Sequence, residues 1–277
     1  MNHLERLLPP LEAIADVRVV WPRGLMHDGG PHRRLASSVS PISIGEDECA
    51  VFGRLIAALR PRTCFIVGNA FGLSSAYIAL AMQEHGGEHV ITLDAETEGD
   101  GASCAHIARA LAAGLDLPIL KNKRGYSPRD IPQAVETDQY DLVFIDGCHG
   151  HPAVTHDFRG AVPFAREDAV FVWHDFWFPG VRHGVRRAMG DGFRCLWVPT
   201  SCEMVLGTRD EARFEELRAL FPEGDPDPDR HYRPARYAAR WLLRSVPVYL
   251  AVLAERLARR APLRELPSGR SPDGGTG

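Results

Sequence analysis

Between residues 62 and 209, apolar runs of strand length alternate with helically spaced apolar patterns, and most runs end in a glycine or acidic turn. The last two runs are joined by a link too short for a parallel crossover, which needs a dozen or more residues. Together these features predict an α/β fold. It is a Rossmann-like doubly wound sheet, mostly parallel, with an antiparallel terminal hairpin, an N-terminal arm and a C-terminal helical extension.

Taken in order, residues 1–42 mix Pro22, Gly24, Gly29, Gly30 and Pro31 with Arg33 and Arg34, and are expected to form an irregular arm with a short helix near its start. Ser43 to Glu46 has capping-box spacing, and DECAVFGRLIAALR (47–60) carries apolar residues at helical intervals up to Pro61. The first strand is CFIVG (64–68), followed by a helix at 74–85, a strand HVITLD (89–94) and a helix at 102–115. A third strand is expected at 117–122, a short helix at 130–135, a fourth strand YDLVFID (140–146), a helix through 151–165 and a fifth strand DAVFVWHD (168–175). GFRCLWVP (192–199) and EMVLGT (203–208) form the hairpin. The implied organisation is an arm at 1–42, the α/β domain at 43–210, a proline- and acid-rich linker at 211–234, a helical extension at 235–262 and a polar, disordered tail at 263–277.

The chain has 277 residues, 45% of them hydrophobic, enough for a sizeable core. A formal net charge of -4 gives no general nucleic-acid footprint, so a small molecule is the expected partner. Its six cysteines include no C-x-x-C pair and several lie in apolar runs, which argues against a zinc cluster or disulfide framework. The N-terminus carries acids and a Pro-Pro break rather than a leader's apolar core, and no stretch of 18 uncharged apolar residues exists. A cytoplasmic location without a transmembrane segment is expected. The apolar terminal segments favour a homo-oligomer.

Two constellations carry chemistry. The first is Gly68-Asn69-Ala70-Phe71-Gly72-Leu73-Ser74-Ser75, which follows a strand and opens a helix. Glycines there allow a tight turn and close backbone approach, and the helix N-terminus offers unpaired N–H groups to a polar or anionic ligand. An ordinary strand-to-helix turn has the same composition. Asp94 ends the next strand, where an acid can grip both hydroxyls of a ribose or cap a turn. The spacing is not G-x-G-x-x-G, which disfavours a nicotinamide site, and no P-loop motif is present.

The second is FIDGCHGH, with Asp146 at the end of strand four, and FVWHDFW, with His174 and Asp175 at the end of strand five. Carboxylates ending apolar strands need a partner or a metal, because isolated buried charge is costly. Two such acids on neighbouring strands point to a hard divalent ion such as Mg²⁺, or else to helix caps or pairs with Arg182 or Arg186. His149 and His151, in the loop after Asp146, are candidate bases or a further ligand.

With these residues in place, residues 43 to about 209 resemble the class I S-adenosylmethionine-dependent methyltransferases. The likeness is greatest to the group with an I-D-G-x-H loop and a later H-D, which includes metal-dependent sugar and natural-product O-methyltransferases. The resemblance implies that Gly68, Asn69, Gly72 and Ser74 line the methionine and ribose portion of S-adenosylmethionine. Asp94 would take the ribose hydroxyls and the Gly125-Tyr126-Ser127 region would flank the adenine. It implies Asp146, also bordering the cofactor, with His174 and Asp175 as metal ligands and His149 as base. Family members usually carry an acid two positions before the first loop glycine, where this chain has Ile66, and another near Ser127, where it has Tyr126. The implied reaction is in-line methyl transfer to an acceptor hydroxyl. A different metal-dependent enzyme on the same scaffold, or a non-catalytic cofactor-binding protein, fits the same motifs.

Residues 235–261 carry recurring arginines and leucines broken near Pro247. They read as helix packed on the domain or on a second subunit, or as a lid or a surface attachment.

Overall fold

The computed structural model describes residues 6, 7, 9, 10, 17–20, 24–27, 44–96 and 105–233. Ser43, the helical extension expected at 235–262 and the tail at 263–277 lie outside them. In the N-terminal arm, β1 (Val17–Val20) pairs antiparallel with β2 (Gly24–His27), so the segment read as irregular contains a hairpin. The β-branched run of β1 suits extended backbone.

Helix α1 (Glu46–Leu59) begins at Gly45, whose N–H donates to Glu48 Oε2 at 2.6 Å. The acid that closes the first turn is therefore Glu48, not Glu46. Arg60, at φ 47, ends the helix ahead of Pro61. There follow β3 (Thr63–Val67), α2 (Leu73–Glu84), β4 (His89–Asp94), α3 (Ala105–Gly114), β5 (Leu120–Arg124), α4 (Ile131–Ala134) and β6 (Tyr140–Ile145). Then come α5 (Ala153–Ala161), β7 (Ala165–Trp173), α6 (Pro179–Gly190), β8 (Arg194–Val198), β9 (Met204–Thr208) and α7 (Glu211–Leu220).

The sheet has seven strands in the order β5-β4-β3-β6-β7-β9-β8. The first five run parallel, and β9 joins antiparallel to both β7 and β8, as the short link requires. The third parallel strand starts at Leu120 rather than 117, because the Leu117 N–H bonds back to Ala112 and finishes α3. Helix α6 has no counterpart among the expected elements. Yet Pro179 at its start and Val181, Val185 and Ala188 on its buried face are ordinary helix signals.

Residues 211–234 are not a linker along their described length. Asp210 caps α7 by accepting from the Arg213 N–H at 2.7 Å, and Phe214, Leu217 and Phe221 are buried under the sheet. Beyond α7, Trp197 and Asp225 exchange backbone hydrogen bonds of 2.8 and 2.9 Å, and Asp229 takes Arg182 and Arg186 at 2.7 Å each. Proline and acid content conceals this because the anchoring partners lie on β8 and α6.

The two faces of the sheet follow the period of two. Cys64, Ile66, Leu142, Phe144, Val170 and Val172 face a layer made by α1, α2, α3 and α7. Phe65, Val67, Val143, Ile145, Phe171 and Trp173 face α4, α5 and α6. In that second layer Phe158 sits 5.5 Å from both Phe171 and Trp173 and 5.1 Å from Phe193, ring centre to ring centre. No helix among the described residues is long and apolar enough to cross a membrane. Phe158→Ala is expected to cost about 3–5 kcal/mol of stability, read as a lower urea midpoint at unchanged slope.

Candidate active site at the carboxyl ends of the strands

The parallel ladder runs one step past the strand ends. Gly68 N–H donates to Leu93 O at 2.9 Å, Asp146 N–H to Val67 O at 2.8 Å and His174 N–H to Ile145 O at 3.3 Å. Gly68, Asp146 and His174 thus emerge side by side. Between β3 and β6 the strand order reverses, and open α/β sheets form their ligand crevice at that point.

The glycine loop is shaped first by its own packing. Gly68 has φ 90, and a Cβ there would lie 2.1 Å from the Asp146 carbonyl oxygen. Gly72, at φ 77, lies against Ala108 of α3, which a Cβ would approach to 2.6 Å. Both close approaches are therefore to protein backbone or to Ala108. Gly72 is also the N-cap of α2 and supplies no side chain to its first turn, so that turn's N–H groups are suited to a ligand. Ser74 is buried in the same turn. The Asn69 amide group donates to Asn122 Oδ1 at 3.1 Å and its oxygen accepts from the Ser75 hydroxyl at 2.6 Å, tying the loop to β5 and α2.

Asp94 clamps this loop. Its Oδ2 accepts from the N–H groups of Asn69 at 2.7 Å and Ala70 at 3.1 Å, and its Oδ1 from Glu96 N–H at 2.8 Å. Since a carboxylate offers about four acceptor positions, one is left for a ribose hydroxyl, and a grip on two hydroxyls would require this loop to let go. Ile66 is wholly buried in the apolar layer against α1 and α2. Ser127 donates to the buried Asp157 Oδ1 at 2.5 Å, and Tyr126 beside it is exposed.

The acidic constellation converges. One ligand atom from each of Asp146, His149, His174 and Asp175 lies within 4.8 Å of the others. His174 Nδ1 is 2.9 Å from Asp146 Oδ1 and 3.3 Å from Asp175 Oδ2. His149 stacks on Phe178 at 4.7 Å, with Nε2 3.5 Å from Asp146 Oδ1 and 3.4 Å from Asp175 Oδ2. Those distances are in ion-pair range but outside hydrogen-bond geometry, which leaves this buried nitrogen without a hydrogen-bond partner. Asp175, at φ 57, turns the chain sharply and accepts from the Trp177 indole at 2.7 Å. Arg182 and Arg186, the arginines the sequence offers as partners for these aspartates, are engaged with Asp229 instead.

Sequence reasoning missed Glu48. It is fully buried, and its Oε1 lies 3.1 Å from His174 Nε2. Because Val172 faces the α1 layer, His174, two residues on, also leans that way, over Phe144 and toward Glu48. Burial acts against the Asp146 carboxylate, but the facing imidazoles of His174 and His149 outweigh it and bring its pKa down to about 2. Burial likewise disfavours charge on His174, yet Asp175, Asp146 and Glu48 raise its pKa well above 6.5. His151 stands apart. It is exposed and packs edge-on against His183 of α6 at 4.0 Å, outside the four-residue cluster.

Asp157 has a different balance. Burial raises its pKa, only partly offset by the Ser127 hydrogen bond. A raised native value means the native state binds the proton more tightly than the unfolded chain, so stability falls as pH climbs from 3.8 through the native pKa. Asp157→Asn should therefore raise the melting temperature at pH 7 and have a smaller effect at pH 4, measured by calorimetry across that range.

Residues 66–176 match a family described as "Methyltransferase domain". No curated protein matches the chain by sequence. Among solved structures, it is similar to the O-methyltransferase from Bacillus cereus in complex with SAH, at 17% identity, TM-score 0.52, 61% of this chain and 83% of that one. It is similar also to the cofactor-bound Rv0187 from MTB, at 17% identity, TM-score 0.55, and 76% and 91% coverage. A third is the O-methyltransferase TomG from Streptomyces achromogenes, solved with SAM, at 20% identity, TM-score 0.50, and 61% and 82% coverage. Residues 66–176 thus carry a match to a methyltransferase domain, and the strand order and the solved structures agree on a Rossmann-like, mostly parallel fold.

Proposed function

We propose that this enzyme transfers the methyl group of S-adenosylmethionine to a hydroxyl of a small molecule, a sugar or natural-product intermediate, with the help of a divalent metal ion. The convergence of Asp146, His149, His174 and Asp175 at the switch point carries this reading. The donor atoms of Asp146, His174 and Asp175 are close enough to share one ion, and Arg182 and Arg186 are engaged with Asp229 instead of the aspartates.

Asp146, His174 and Asp175 would hold the metal. Two carboxylates with an imidazole suit Mn²⁺, Fe²⁺ or Zn²⁺ as well as or better than Mg²⁺, which prefers oxygen donors. A bound ion would supply Lewis acidity that lowers the pKa of an acceptor hydroxyl. S-adenosylmethionine would supply a methyl group on a sulfonium. Its methionine end would meet the first turn of α2 at Gly72, Leu73 and Ser74, and its ribose the remaining acceptor position of Asp94. Ser127, held by Asp157, would flank the adenine. His149 is the proposed base. Its Nε2 lies beside the aspartates without a hydrogen bond to either, and stacking on Phe178 fixes the ring, so the nitrogen is placed to take the hydroxyl proton. The scaffold contributes orientation and exclusion of water.

Calorimetry with S-adenosylmethionine, with and without Mn²⁺ or Mg²⁺, tests the reading, and absence of binding under every condition would end it. Asp175→Ala should retain cofactor affinity and lose metal binding. Its kcat/KM should fall by about 100-fold or more, in line with the several kcal/mol a metal contributes. His149→Ala should keep both affinities and lower kcat about 100-fold at neutral pH, with partial recovery at alkaline pH as the acceptor ionises.

A further inference from the structure

Glu48 stands outside the residues that the motifs and the family match identify. It enters from α1, before the first parallel strand, and is buried at 0% exposure. A carboxylate so placed needs compensation, and it receives four contacts. Oε2 takes the Gly45 N–H at 2.6 Å. Oε1 is approached by His174 Nε2 at 3.1 Å, Cys202 N–H at 3.2 Å and the Thr200 hydroxyl at 3.3 Å. The helix N-terminus around it favours negative charge. Among these partners the backbone N–H groups and the hydroxyl are donors, so both oxygens are used as acceptors.

The imidazole has two nitrogens pointing to opposite sides. Nε2 meets Glu48, while Nδ1 meets Asp146 and Asp175. An imidazole that binds a metal through one nitrogen keeps its proton on the other, and the acceptor that receives that proton decides which is which. We propose that Glu48 is a positioning residue that keeps the His174 proton on Nε2 and aims the Nδ1 lone pair at the space between Asp146 and Asp175. The inference rests on the metal reading given above and adds a carboxylate–histidine–metal relay to it. Glu48 is itself located by the β8–β9 loop and by the first turn of α1, so both elements help to set the ligand's direction.

A purely structural strut would affect folding but not the metal in the folded protein. The test is Co²⁺ titration of the full chain, followed by visible absorption, alongside melting temperature. Glu48→Gln should weaken Co²⁺ binding about 10- to 100-fold and shift its absorption band. Thr200→Val, which removes a contact to Glu48 but leaves the histidine pair, should bind Co²⁺ like the wild type. On a His174→Ala background, Glu48→Gln should add no further loss. If Glu48→Gln does not fold, Glu48→Asp, which withdraws the carboxylate from His174, should weaken Co²⁺ binding in the same sense. Wild-type Co²⁺ affinity in the Glu48 variant, or an equal loss without His174, would overturn the assignment. A wild-type protein that binds no Co²⁺ or Mn²⁺ would instead remove the metal reading and this inference with it.

Discussion

The imidazole of His174 is held on both sides by acids: Asp146 and Asp175 at one nitrogen and Glu48 at the other. The arrangement places three carboxyl groups around one ring in a corner that is almost entirely buried. Such a cluster survives only if each member is compensated, since leaving one buried charge unpaired costs several kcal/mol. Here the compensation comes from backbone N–H groups, the Trp177 indole and the ring itself. The excess of acid over base remains, and it makes the corner receptive to a cation.

The cluster and the Gly68–Ser75 loop are one mechanical unit. β3 lies at the centre of the sheet, with β4 on one side and β6 on the other. The Gly68 α-carbon rests against the carbonyl of Asp146, so the turn that would face the cofactor touches the residue that would face the metal. Asp94 holds the far side of the same turn by its backbone. The two aromatic and aliphatic layers beneath keep the strand ends level, which is why residues far apart in sequence meet within hydrogen-bonding distance.

Much of this was legible in the sequence. Polar residues at the ends of wholly apolar strands, Asp146 and the His174–Asp175 pair, have few other reasons to be there, and the structure brings them together. The antiparallel closure was legible because a short link permits nothing else. Other features were not. Glu48 lies in the first turn of an amphipathic helix, where an acid needs no explanation beyond the helix dipole. His149 and His151 are two residues apart in one loop, and only the path of that loop sends one to the aspartates and the other to His183. The prolines and acids of 221–233 resemble a linker until their partners on β8 and α6 are seen.

The sequence by itself determined the elements, their alternation and the strand ends at which acids would gather, because periodicity and turn chemistry act over a few residues. Only the tertiary structure decided that Asp94 is spent largely on its own loop, that the loop glycines accommodate Asp146 and Ala108, and that Glu48 stands behind His174. Those choices depend on distances between segments as much as 126 residues apart. Such distances are set by how layers pack and register, which no local pattern encodes.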